Sequence, residues 1–267
     1  MSDYAAVCRD AGAAVARVLE ELPSRSDREP TVGAGMGGDE TTAIDAAAEL
    51  AVVEVLRGRL DGGFTLVSEE LGVETVGAGG ELRVVVDPID GSLNAKRGLP
   101  FFALSIALAD GPTMGDVFYG YVRDFGSGEE WSAERGRGAF LDARPLAGPE
   151  PKDGVEVLVV EATRTDLLAE SVARMVGFAY RTRVLGSLAL ALCHLAAGRV
   201  DAVCSLKPAR SVDIAAAQLL VRERGLAIEL PEDSAFDEAP LDVQARSRVV
   251  AAGRPERCAE LFLRLAG

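Results

Sequence analysis

The chain has 267 residues, 48% of them hydrophobic, and its 28 Lys and Arg against 42 Asp and Glu give a formal charge of −14. These fractions belong to a folded protein rather than a disordered one. The acidity excludes nucleic acid and an anionic membrane surface as main partners, because both require a basic patch; a phosphorylated substrate stays open if a cation supplies the positive charge.

Apolar positions at helical spacing predict a first helix over residues 3–22, closed by Pro23. Residues 23–38 are polar and then Gly-rich, and predict a loop. Within it Gly33–Gly38 matches G-x-G-x-x-G, but no strand precedes it, so it reads as a mobile loop rather than a dinucleotide site. A second helix is predicted from about Thr42 to Leu56. Short apolar runs at Phe64–Val67, Leu82–Val86, Phe102–Leu108, Val117–Val122 and Glu130–Ala133 predict strands. The Pro-, Gly- and charge-rich stretch Ala147–Gly154 marks a boundary. Beyond it strands are predicted at Val155–Val160, Val184, Val200–Cys204 and Val249–Ala252, and helices at Ser187–Ala197, Val212–Arg224 and Pro255–Leu265. The fold class is α/β, with an α+β first half over 1–146 and an α/β second half over 147–267 that share one cleft.

The single histidine, His194, lies in an apolar helical stretch without polar company and reads as structural. Cys8, Cys193, Cys204 and Cys258 form no C-x-x-C pair, and neither a basic leader nor a run of roughly 18 apolar residues is present, so a cytoplasmic protein with reduced thiols is expected. Lysine is confined to Lys96, Lys152 and Lys207. A GC-rich genome and a salty cytoplasm would each account for the preference for arginine.

The segment Val84–Asn94 carries the most chemistry. A strand runs into Asp87-Pro88-Ile89-Asp90, then Gly91-Ser92 permits a sharp turn into a helix start. Two carboxylates three apart can converge just past a strand end, where a hard divalent cation would accept them, and the N–H groups of Gly91 and Ser92 offer a phosphate seat. A turn with a helix cap would explain one aspartate and the glycine, but not the whole string. Ser68-Glu69-Glu70 follows another predicted strand, and Asp213 opens an otherwise apolar helix; alone, these read as a solvated edge and an N-cap.

In this order the three segments resemble the signatures of the inositol monophosphatase / fructose-1,6-bisphosphatase superfamily: G/S-E-E, D-P-[IL]-D-G-[TS]-x-N and a late [WV]-D-x-A-A. Gly136–Leu141, Leu185–Leu190 and Ala197–Ala202 extend the similarity, which spans residues 3–265. Ser68-Glu69-Glu70-Leu71, Asp90-Gly91-Ser92 and Val212–Ala217 lean toward the archaeal dual-specificity branch. The resemblance implies a layered α-β-α-β-α sandwich of the sugar phosphatase type, a homodimer, and two to three Mg²⁺ ions, with Mn²⁺ as a substitute. It implies hydrolysis of fructose 1,6-bisphosphate and inositol 1-phosphate, a gluconeogenic role for the former. Glu69, Asp87 and the Ile89 carbonyl would hold one ion, and Asp87, Asp90 and Asp213 a second. Ser92 and Asp45 would activate water through a mutual hydrogen bond, with Glu69 beside them. Arg183, Ser187 and Arg210 would border the substrate, and Asp39, in a loop two residues shorter than the commonest pattern, is a candidate for a third ion. Where many members carry an inositol-binding glutamate, this chain has Leu206, which favours a broader sugar-phosphate or bisphosphate role. A 3′-phosphoadenosine nucleotide phosphatase and a non-catalytic regulatory protein of the same fold are the alternatives.

Overall fold

The computed structural model describes residues 3–36, 40–148, 150–161, 164–233 and 235–266. Helices α1 (Tyr4–Glu21) and α2 (Arg25–Arg28) lead into a hairpin of β1 (Thr31–Ala34) and β2 (Glu40–Thr42), followed by α3 (Ala43–Arg59). Next come β3 (Phe64–Ser68), β4 (Gly72–Val76), β5 (Arg83–Asp90) and the short α4 (Ser92–Arg97). Five strands follow: β6 (Ala103–Ala109), β7 (Val117–Asp124), β8 (Glu130–Glu134), β9 (Gly138–Leu141) and β10 (Arg144–Pro145). The second half contains β11 (Val155–Glu161), α5 (Thr165–Met175), β12 (Ala179–Arg183), α6 (Leu188–Ala196) and β13 (Ala202–Ser205), then α7 (Ser211–Glu223), β14 (Ala227–Glu229), β15 (Val250–Ala252) and α8 (Pro255–Ala266).

Strands β3–β10 form one sheet in the order β10-β9-β8-β7-β6-β5-β3-β4, antiparallel except for the parallel β3/β5 pair. A second sheet has the order β12-β11-β13-β15-β14, with β11 parallel to both its neighbours. Strand β6 shows why the layers stack. Every residue of Ala-Leu-Ser-Ile-Ala-Leu-Ala is buried, and large and small side chains alternate. Because successive residues face opposite sides of a sheet, Leu104, Ile106 and Leu108 pack toward α1 and α3, while Ala103, Ala107 and Ala109 face α6 and α7. The small face admits the Ala215-Ala216-Ala217 run of α7 at close range. A Cβ on Gly120 of β7 would lie 2.5 Å from the Ala216 carbonyl oxygen, so the approach depends on glycine there. Val159, Val203 and Ala251 bring the second sheet onto the far side of α6 and α7, and its outer face is closed by α5 and α8 through Leu158, Val160, Cys258 and Leu261. The result is the expected five layers: helices, sheet, helices, sheet, helices.

The structure departs from the sequence expectations at the polar segments. Residues 23–38 are not all loop. Ser24 and Asp27 form a capping box that starts α2, and the hairpin strand β1 follows. Val184 is not a strand: the edge strand is β12, just before it. Its side chains are largely exposed, so it lacks the apolar alternation by which strands are read. Strands β4, β9, β10 and β14 are short or half-exposed and were not expected; nor was α5, an amphipathic helix that fully buries only Met175. All four cysteines are buried and unpaired. His194 is half-buried and lies edge-on to Trp131 at 5.9 Å between ring centroids. Among the described residues no helix is long and apolar enough to cross a membrane.

Candidate active site

Strands β3 and β5 run parallel, so Ser68-Glu69-Glu70 and Asp87–Asp90 emerge at the same edge of the large sheet. The β5/β6 register shifts between Asp87 and Asp90, so an irregularity at Pro88-Ile89 separates the two paired aspartates. Gly91 then turns with φ +95°, and a Cβ there would lie 2.8 Å from the Phe101 carbonyl oxygen and 2.9 Å from that of Gly186. Only glycine meets both demands. Asn94, in α4, donates to the Phe101 and Leu185 carbonyls at 2.8 and 2.7 Å, tying the turn to the segment that leads into α6. From the second half, β11 and β13 deliver Glu161 and Ser205 side by side, and the first turn of α7 delivers Asp213. These elements enclose a cleft of about 510 Å³ whose walls include Asp45, Glu69, Asp87, Ile89, Asp90, Gly91, Ser92, Arg210 and Asp213.

The cleft penalises negative charge. Burial, reinforced by Asp213 and Glu70, pushes the Glu69 carboxyl up to about 8. Burial also raises Asp87 well above the ordinary carboxylate range, with Glu69, Asp90 and Asp213 adding to the effect. Asp90 rises to about 7, again through burial first and Asp213 next. Arg210 offsets part of this load: its guanidinium meets Glu69 at 2.5 Å and Asp213 at 3.2 Å, while its backbone N–H donates to Asp213 at 2.7 Å. Asp90 accepts from the Ser187 hydroxyl at 2.6 Å and from the Ala189 N–H at 2.7 Å.

Several sequence expectations need correction at this level. Ser92 does not bond Asp45; its hydroxyl donates to the Ile89 carbonyl at 3.0 Å, and Thr42 takes one Asp45 oxygen as part of the α3 cap. The other Asp45 oxygen, Oδ1, is buried with no partner among the described residues. Arg183 is exposed on β12 and is not on the cleft wall; its guanidinium bonds the neighbouring Thr182 carbonyl. Ser187 lies behind Asp90 and orients it rather than facing the cleft. Arg210 turns to the carboxylates, as described. Asp39 lies outside the described residues. Glu161 was missed. Burial raises its carboxyl to about 8 while the Leu185 and Gly186 N–H groups hold it at 3.0 Å each. The only sequence signal was one acid ending an apolar strand run.

The donor set suits a hard divalent cation. It consists of carboxylate oxygens crowded where burial disfavours their charge, with an unpartnered Asp45 oxygen beside them. As arranged, no three acidic side chains among the described residues stand close enough to share one ion. Arg210 holds Glu69 and Asp213, and Asp90 is turned to Ser187.

The layered sheets carry an acidic cleft at the ends of their strands. The chain belongs to the inositol monophosphatase family, whose model matches residues 2–266. Members of that family are generally metal-dependent. A fructose-1,6-bisphosphatase/inositol-1-monophosphatase of Methanothermobacter thermautotrophicus is 34% identical over 260 residues, covering 91% of this chain and 89% of its own. A Nus factor SuhB of Pasteurella multocida is 34% identical over 224 residues, covering 81% and 79%. Among solved structures, a crystal structure of an inositol monophosphatase–fructose 1,6-bisphosphatase superposes with a TM-score of 0.85 at 25% identity, covering 98% of this chain and 99% of that one.

Proposed function

We propose that this phosphatase is Mg²⁺-dependent and hydrolyses fructose 1,6-bisphosphate and inositol 1-phosphate, in the cytoplasm and as a homodimer. The observation that carries the reading is the cluster of Glu69, Asp87, Asp90 and Asp213 in one cleft, with three of the four carboxyls disfavoured as anions until a cation joins them. Residues 1–146 contribute most of this set and residues 147–267 complete it with Asp213.

In this reading Glu69, Asp87 and the Ile89 carbonyl hold one cation, and Asp87, Asp90 and Asp213 another; Mn²⁺ is a natural substitute. Bound Mg²⁺ supplies charge stabilisation for the phosphoryl group and lowers the pKa of a coordinated water. The chain's own groups do the positioning. The Ser92 hydroxyl and the unpartnered Asp45 oxygen orient the attacking water and draw off its proton. The N–H groups of Gly91 and Ser92 face the phosphate, and Ser187 fixes the Asp90 carboxylate. Attack is in line, and water's oxygen replaces the alcohol on phosphorus. The names of the archaeal relatives support this substrate pair, and with fructose 1,6-bisphosphate the reaction serves gluconeogenesis.

A non-catalytic regulatory role finds support in the Nus factor relative, but a pure binding module has no need of the full acidic set. The test is a phosphate-release panel with Mg²⁺ that compares fructose 1,6-bisphosphate, inositol 1-phosphate and 3′-phosphoadenosine 5′-phosphate. The first two are expected to turn over. Release from the nucleotide alone transfers the assignment to nucleotide phosphatases, and release from none favours the regulatory role.

A further inference from the structure

Two of the three lysines in the chain, Lys96 and Lys207, line the acidic cleft. The third, Lys152, is paired with Glu156 at 2.6 Å on the surface. Neither cleft lysine makes an ion pair or hydrogen bond among the described residues, although most of the arginines in this acidic chain are engaged with carboxylates or carbonyls. The other cleft cations are committed elsewhere: Arg210 to Glu69 and Asp213, Arg246 to the Val243 and Ala245 carbonyls.

The two lysines reach the cleft from different elements. Lys96 stands four residues after Ser92 in α4, so it shares that side chain's face about 6 Å further along the helix. Lys207 lies on the turn between β13 and α7, stiffened by Pro208, three residues before Arg210. Its neighbour Leu206, where the family resemblance places an inositol-binding carboxylate, is only 8% exposed and packs into the outer core. The wall that would offer a carboxylate to sugar hydroxyls therefore offers an ammonium group. A flexible lysine is a compact point charge that suits a phosphate dianion. The cleft, at about 510 Å³, lies within the range of small-molecule sites.

We propose that Lys96 and Lys207 form a second-anion subsite, which reads a phosphate carried by the substrate away from the ester being hydrolysed and so biases the enzyme toward bisphosphates. This rests on the phosphatase reading above. The tests are Lys96→Met, Lys207→Met and the double variant in the full chain, comparing fructose 1,6-bisphosphate with inositol 1-phosphate. The ratio of kcat/KM for bisphosphate over monophosphate is expected to fall about tenfold for each lysine, the worth of one charge-assisted contact. Most of the loss should lie in the KM for the bisphosphate, and Lys→Arg variants should recover the ratio. An unchanged ratio overturns the proposal, because a lysine that merely supports the fold lowers both substrates alike. A second arm does not depend on turnover: the shift in unfolding midpoint produced, with Mg²⁺ present, by non-hydrolysable phosphonate analogues of the bisphosphate and the monophosphate. A bisphosphate-specific shift present in the wild type and lost in the double variant supports the subsite. Equal shifts in both proteins, or none specific to the bisphosphate in the wild type, overturn it. Failure of the wild type to release phosphate from either substrate counts instead against the phosphatase reading.

Discussion

Asp90→Asn is expected to lower Mg²⁺-dependent phosphate release by at least about a hundredfold while the fold stays intact, since even outer-shell partners of metal ligands matter by about ten- to a hundredfold. The side chain has two tasks that asparagine separates. As a hydrogen-bond acceptor it receives the Ala189 N–H and the Ser187 hydroxyl, joining the first turn of α6 to the end of β5. Both donors meet the same oxygen, Oδ2, so an asparagine whose amide oxygen takes that place keeps both bonds. As a carboxylate, Asp90 supplies charge to a cation, and asparagine does not. Because burial already lifts its pKa to about 7, making the group permanently neutral costs the fold little. Circular dichroism and the unfolding midpoint should therefore match or exceed the wild type while turnover collapses. Normal turnover in a folded Asp90→Asn protein would remove Asp90 from the metal set.

The second large effect is on stability. In the absence of divalent cations, the protein should lose stability as pH rises from about 5.5 to about 8.5. Glu69 and Glu161 stay protonated to about 8 in the folded chain and Asp90 to about 7, whereas unfolded carboxyls titrate near about 4. Between those values the folded state binds more protons than the unfolded state, so stability falls with increasing pH. The contribution is fully present below the unfolded pKa and is lost as pH climbs through 7 and 8. Exposed, ion-paired acids such as Glu29 and Glu156 shift the opposite way and have finished titrating by the start of this window. One such proton is worth about 1.4 kcal/mol per pH unit, or roughly 3 °C in the midpoint of a chain of this size. Added Mg²⁺ should flatten the slope, because it binds the ionised carboxylates. Thermal melts across the window, with chelator and with Mg²⁺, read both effects. A flat midpoint in chelator would contradict the burial of charge in this cleft.

What the sequence made legible follows from how strongly each part is constrained. The string Asp87–Asn94 combines a strand end, an obligatory positive-φ glycine and the bond from the chain's only asparagine to the distant Leu185 carbonyl. Each requirement narrows the residue choice, so the segment is recognisable on its own. The central strand β6 is equally plain, because burial on both faces demands an unbroken apolar run. The edge strands β4 and β12 and helix α5 have much exposed surface, and their side chains are correspondingly free to vary. Side-chain partnerships were the least legible. The motif put Asp45 near Ser92 but could not show that Thr42 takes its carboxylate, nor that Arg183 faces outward from an edge strand. Glu161 and the two cleft lysines gain their meaning only when strands and turns remote in sequence meet.

The opening charge balance also changes meaning. Most of the acidic excess is surface, but part of it is gathered where a cation would reverse the local field and admit a phosphate. Phosphate release from inositol 1-phosphate, measured on chelator-stripped protein before and after Mg²⁺ is restored, tests this most directly. The stripped protein should be inactive and recover on addition of Mg²⁺; full-rate release from the stripped protein would contradict the account.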